Sequence, residues 1–187
     1  MFYSKKLIEA FAYAMRQHQG HKKMEQPILS HVLDVVSLIL YFGGDEEAAI
    51  AGMLHDINER AKKPVLEEIE HEFTTNVAEI VRACSDSSDL SWKEQKQRRI
   101  EAVATLEKSA LLVSSCEVLS NIKRLLFRLH GAKNKGQVLT YLKTKGGIEG
   151  KLWYYRTYCD ALRKRQAYPE LGYEMEVSIR ELENLIY

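Results

Sequence analysis

Met53-Leu54-His55-Asp56-Ile57-Asn58-Glu59-Arg60 is the stretch on which the reading of this chain turns. It closes an apolar helical run with a histidine and an aspartate side by side. Adjacent His and Asp put an imidazole nitrogen and a carboxylate oxygen into one small volume, which starts a divalent metal site when further ligands arrive from elsewhere. A carboxylate at the negative end of a helix is disfavoured by the dipole. Asp56 in that place therefore calls for a compensating cation, either a metal or an arginine. Glu59 follows His55 by one turn, so both point to one side if the helix persists.

Working outward, two further donors stand at helix positions that can reach a shared cleft. His31 lies upstream in Pro-Ile-Leu-Ser-His-Val (27–32), and Glu117 lies downstream in Ser-Ser-Cys-Glu-Val-Leu-Ser-Asn (114–121). The order His31, His55-Asp56, Glu117 is the candidate ligand set. His71 and His130 read as ordinary solvated or hydrogen-bonded residues. Ser114, Glu117, Asn121, Arg124 and Arg128 share one helical face. By spacing alone that face is solvated, opposite an apolar stripe of Leu111, Leu112, Val118, Leu119, Ile122, Leu125, Leu126 and Leu129.

Helical periodicity extends over the rest. Leu7, Ile8, Phe11, Ala12, Ala14 and Met15 follow the i, i+3, i+4 rule, and residues 18–27 read as a loop. Ser30 is expected to cap a helix that stops at Gly43-Gly44, and Asp45 to cap the next, from Glu46 to about Asp56. Pro64 suits the first turn of a short helix with Glu67 and Glu68 at its positive end. Asn76-x-x-Glu79 and Ser91-x-x-Glu94 both have the form of a capping box. A long helix is expected from about Ala110 to Leu129, then shorter ones over 137–143, 152–166 and 170–186. No strand alternation is evident, so the expected fold is all-α with about nine or ten helices.

Composition narrows the function classes. The chain has 187 residues, 45% hydrophobic and 28% charged, with net charge +1; that is ordinary for a globular domain and does not point to nucleic-acid binding. The length suits one large domain or a domain plus a small extension; a single domain over 1–187 is expected, with a metal-site core at about 10–130 and C-terminal helices over 131–187 packing on it. The three cysteines, Cys84, Cys116 and Cys159, form no CxxC pattern, which argues for a reducing compartment. No apolar run reaches membrane-spanning length, and a cytoplasmic protein is expected.

The ordered motifs then add a family. His18–Lys23 (HQGHKK), Pro27–Val32 (PILSHV), Met53–Arg60 (MLHDINER) and Glu117–Asn121 (EVLSN) are similar to the patterns H-x-G-Q-x-R, PYxxHP, LLHDxxED and DxLHN. Asp89–Lys96 (DLSWKEQK) and Gly147–Leu162 (GIEGKLWYYRTYCDAL) are similar to two further signatures. Together, from about Ala10 to Leu162, the chain resembles the HD-domain phosphohydrolases, specifically the hydrolase domain of RelA/SpoT-type alarmone enzymes and their small single-domain relatives. The resemblance implies an HD-domain helical bundle and makes His31, His55, Asp56 and Glu117 ligands of a divalent metal, normally Mn²⁺. It implies hydrolysis of a phosphorylated nucleotide, with guanosine tetra- or pentaphosphate losing its 3′-pyrophosphate. Lys22, Lys23 and Lys96 match positions that contact phosphates, and Asn121 one that holds the nucleotide. The family's Glu-Asp catalytic pair reads Glu59-Arg60 here.

Other departures are Glu117 for the last aspartate, His21 for glutamine, Gln95 for arginine and Ile28 for tyrosine. Two rival readings follow from them. One is a degenerate HD module that binds a nucleotide or protein without hydrolysis. The other is an HD phosphatase or phosphodiesterase for a different nucleotide.

Overall fold

Each helix begins where the chain offers its first backbone amides a partner. The computed structural model describes residues 4–23, 26–60, 65–86, 89–131, 136, 138 and 146–187. Among them are ten α-helices and one antiparallel pair of two-residue strands. The expected short helix over 137–143 and the turn at Pro64 fall largely outside the described residues. The chain divides into two compact units, one made of 1–86 and 107–117, the other of 87–106 and 118–187.

In the first unit, α1 (Lys5–Gln17) starts at Ser4, whose hydroxyl accepts from the Leu7 amide. The segment read as a loop contains strands β1 (Lys22–Lys23) and β2 (Gln26–Pro27), in register Lys22 with Pro27 and Lys23 with Gln26. Helix α2 spans Ile28–Tyr41. Ser30 does not cap it: the helix starts two residues earlier after Pro27, and the Ser30 hydroxyl donates to the Pro27 carbonyl at 2.9 Å. Gly43, at φ 80°, ends the run where a side chain would be strained.

Asp45 caps α3 (Glu46–Leu54) as expected, accepting from the Ala48 amide at 2.8 Å. This helix is buried nearly all round and packs against α1, α2 and α6. It ends at Leu54 rather than Asp56, and α4 (Ile57–Arg60) follows a turn. Helix α5 (Leu66–Glu72) carries Glu67 and Glu68 in its first turn. Helix α6 (Thr75–Cys84) is capped by Thr74, not by Asn76. The reason is a shared acceptor: Thr74 and Asn76 both donate to the Glu47 carboxylate, at 2.7 and 2.6 Å, and Thr74 Oγ1 still accepts from the Val77 amide. These bonds hold the Glu47 carboxyl below its usual range.

The second unit contains α7 (Trp92–Ala102), opened by the complete Ser91/Glu94 capping box. Helix α8 (Lys108–Gly131) runs through both units. Helix α9 (Gly147–Lys164) packs on α7 and on α10 (Pro169–Ile186). Arg165 donates to the carbonyls of Val103 and Leu106, tying the end of α9 to the turn after α7.

Helix α9 begins five residues before Leu152, and Trp92 fills the space around its first turn. A Cβ on Gly146, which sits at φ 84°, would lie 2.3 Å from Trp92 Cζ3. Gly146→Ala combines a left-handed backbone with a clash against the Trp92 ring, and should destabilise the fold by about 2–4 kcal/mol. A guanidinium melt with an unshifted midpoint would refute this account of the turn.

Candidate metal centre

Four buried side chains of the first unit converge. His31 comes from α2, His55 and Asp56 from the turn between α3 and α4, and Glu117 from α8. One donor atom from each lies within 4.8 Å of all the others. All four are at least nine-tenths buried. This overturns the solvated-face reading for Ser114 and Glu117, which are buried, while Asn121, Arg124 and Arg128 are half-buried.

The turn that ends α3 is part of the site. His55 Nδ1–H donates to the Gly52 carbonyl at 2.7 Å. A continuing helix would offer that carbonyl to the Asp56 amide. With its proton on Nδ1, His55 presents the bare lone pair of Nε2 to the cluster. Nε2 of His31 stands 3.3 Å from it. Two nitrogens bound to one ion at about 2.1 Å with a near-tetrahedral angle would stand about 3.4 Å apart. The Asp56 carboxylate lies 3.8 Å from His31 Nε2 and 3.7 Å from His55 Nε2, again the spacing of neighbours around one centre.

Charge makes the same case. Two buried carboxylates this close are costly unless a cation joins them. Two imidazoles and two carboxylates form a mixed nitrogen and oxygen set that fits a divalent ion. The cluster contains no cysteine, and all three cysteines are buried. Burial raises the Cys116 thiol pKa, and it is the main cause raising that of Cys159 to about 11, so both stay neutral.

The remaining predicted residues are placed as follows. Lys22 is exposed on β1, and Lys23 follows it, its side chain outside the described residues. Glu59 and Arg60 belong to the short α4, with their side chains likewise outside the described residues. In the second unit, Lys96 on α7 places its ammonium 5.5 Å from the Tyr154 ring centroid, and Asn121 lies on α8. Sequence reasoning missed Gly52, since a backbone carbonyl has no letter of its own. Its position three residues before His55 at a helix end was the available signal.

The family model described as HD domain matches residues 10–137. The chain belongs to the HD domain family. HD domains bind divalent metals, which agrees with the cluster just described. The chain is 28% identical over 127 residues to the Drosophila melanogaster guanosine-3′,5′-bis(diphosphate) 3′-pyrophosphohydrolase MESH1, covering 65% of this chain and 70% of that one. It is 30% identical over 124 residues to the Danio rerio protein of the same name, covering 64% and 68%. A Haemophilus influenzae pyrophosphohydrolase is 27% identical over 65% of this chain but only 17% of its own length. Among solved structures, a metazoan ortholog of SpoT that hydrolyses ppGpp superposes with TM-score 0.77 at 23% identity, covering 97% of both chains. A Listeria monocytogenes protein gives TM-score 0.68 at 23% identity over 80% of this chain and 99% of that one. The likeness to the first of these shows the all-α HD-domain fold. No helix among the described residues is long and apolar enough to cross a membrane.

Proposed function

We propose that this HD protein is a metal-dependent phosphohydrolase that removes pyrophosphate from the 3′ position of guanosine tetra- or pentaphosphate. The observation that carries the proposal is the buried convergence of His31, His55, Asp56 and Glu117, in a chain whose curated relatives are named for that reaction. A divalent cation held by these four residues supplies Lewis acidity to water and to phosphate oxygens. The mixed nitrogen and oxygen set favours Mn²⁺ over metals that prefer thiolate.

The chain's own residues do the rest. Glu59 handles the proton of the attacking water. Arg60 clamps a phosphate bidentately, and Lys22, Lys23 and Lys96 neutralise others. Asn121 hydrogen-bonds the nucleotide. The whole chain, 1–187, works as one hydrolase domain in the cytoplasm. Water adds to the phosphorus bonded to the ribose 3′ oxygen, that phosphorus–oxygen bond breaks with the proton ending on the 3′ oxygen, and guanosine tetraphosphate yields guanosine diphosphate and pyrophosphate.

The test is a panel of phosphorylated nucleotides with Mn²⁺-loaded protein, products identified by mass. Release of pyrophosphate from the guanosine tetraphosphate, stopped by chelator and restored by Mn²⁺, is the expected result. Turnover of another nucleotide instead would keep the hydrolase and replace the substrate. Arg60 in place of a second acid favours one rival, the binding module without turnover. That rival requires tight nucleotide binding, no product, and activity created by Arg60→Asp.

A further inference from the structure

Helix α1 is apolar on two opposite sides. Ala10, Tyr13 and Ala14 are buried in the first unit. On the far side Ile8, Phe11 and Met15 remain 63%, 38% and 43% exposed, with half-buried Ala12 between them. A surface helix ordinarily turns polar residues outward. Here the outer stripe is Ile, Phe, Ala and Met at i, i+3, i+4 and i+7, bordered along one edge by Lys5, Glu9 and Arg16. Such a stripe marks an interaction surface.

We propose that this stripe pairs with the same stripe of a second copy of the chain, the two α1 helices running antiparallel about a two-fold axis between Phe11 and Ala12. Register and charge identify the partner. In this arrangement Ile8 faces Met15 of the second copy and Phe11 faces its Ala12, so both stripes are covered. A two-fold axis keeps the charged edge of each helix beside the charged edge of the other. Glu9 then stands within about two residues' rise, roughly 3 Å along the axis, of Arg16 of the second copy. Symmetry makes this contact twice.

A parallel two-fold would instead put the two charged edges on opposite sides of the seam, out of reach of each other. Glu9 has Lys5 at 3.4 Å on its own helix but is still half exposed, which leaves room for a second cation. Arg16 is exposed and lies over the Tyr13 ring, 5.8 Å from its centroid. Four apolar residues from each short helix bury less than the roughly 1,200 Å² of stable complexes. The dimer is therefore weak and concentration-dependent, with half-association on the order of 10–100 µM.

Sedimentation equilibrium of the full chain from about 5 to 500 µM should show the weight-average mass rising from monomer toward dimer. Glu9→Arg replaces two attractions by two repulsions and should weaken association about tenfold or more. The double variant Glu9→Arg with Arg16→Glu should restore it. Phe11→Glu should give a monomer, with circular dichroism confirming that each variant is folded. Because the native cysteines are buried, Ala12→Cys should become an oxidisable dimer linked near the axis. The proposal is overturned by a wild-type monomer throughout the range, by a dimer indifferent to Phe11→Glu, or by a double swap that stays as weak as Glu9→Arg.

Discussion

His55→Ala is expected to leave a folded protein that neither binds a divalent cation with useful affinity nor turns over nucleotide. The imidazole supplies one of four convergent donors, and its Nε2 lone pair is fixed by the bond from Nδ1–H to Gly52. Changing a group that merely supports a ligand already costs about 10–100-fold in metal affinity, so deleting the ligand should cost more. Loss of the cation removes several kcal/mol of charge stabilisation, roughly 10³-fold or more in rate.

Asp56→Asn separates metal binding from folding. It removes one of two adjacent buried carboxylates, so it should raise the melting temperature of chelator-treated protein while abolishing the rise that Mn²⁺ gives the wild type. Calorimetric titration with Mn²⁺ beside thermal melts reads both effects. Wild-type stoichiometry and affinity in His55→Ala would remove the metal-centre assignment altogether.

Glu59→Gln should give the second largest effect, lowering kcat by about 10²–10⁴-fold while metal affinity stays near wild type. Glutamine keeps the length and polarity of the side chain but cannot take a proton. The contrast with His55→Ala lies in the split: one variant loses cation and turnover together, the other turnover alone. Full activity in Glu59→Gln would move the acid–base role to another residue.

The sequence made the helices legible wherever their signals were local. Asp45 and the Ser91/Glu94 pair cap as read, because each side chain meets an amide three residues away. The stripe along α8 is buried as its spacing requires. Misreadings arose where a distant partner decided the outcome. Thr74 displaced Asn76 as a cap because Glu47, remote in sequence, draws both side chains. Helix α9 was expected from 152 but begins at Gly147, next to a Gly146 whose Cβ space the Trp92 ring fills. The same holds for the site: adjacency of His55 and Asp56 was visible, but burial of Glu117 depends on packing that no spacing rule contains.

The division of the chain bears on how the protein is born. The unit that holds the four donors is discontinuous: it needs residues 107–117 as well as 1–86. During synthesis at about 5–20 residues per second, a nascent polypeptide released up to position 106 carries three of the donors and lacks the fourth. A metallated centre can be completed only after Glu117 has cleared the ribosome, so a fragment cut at Asp86 cannot be rescued by adding ions.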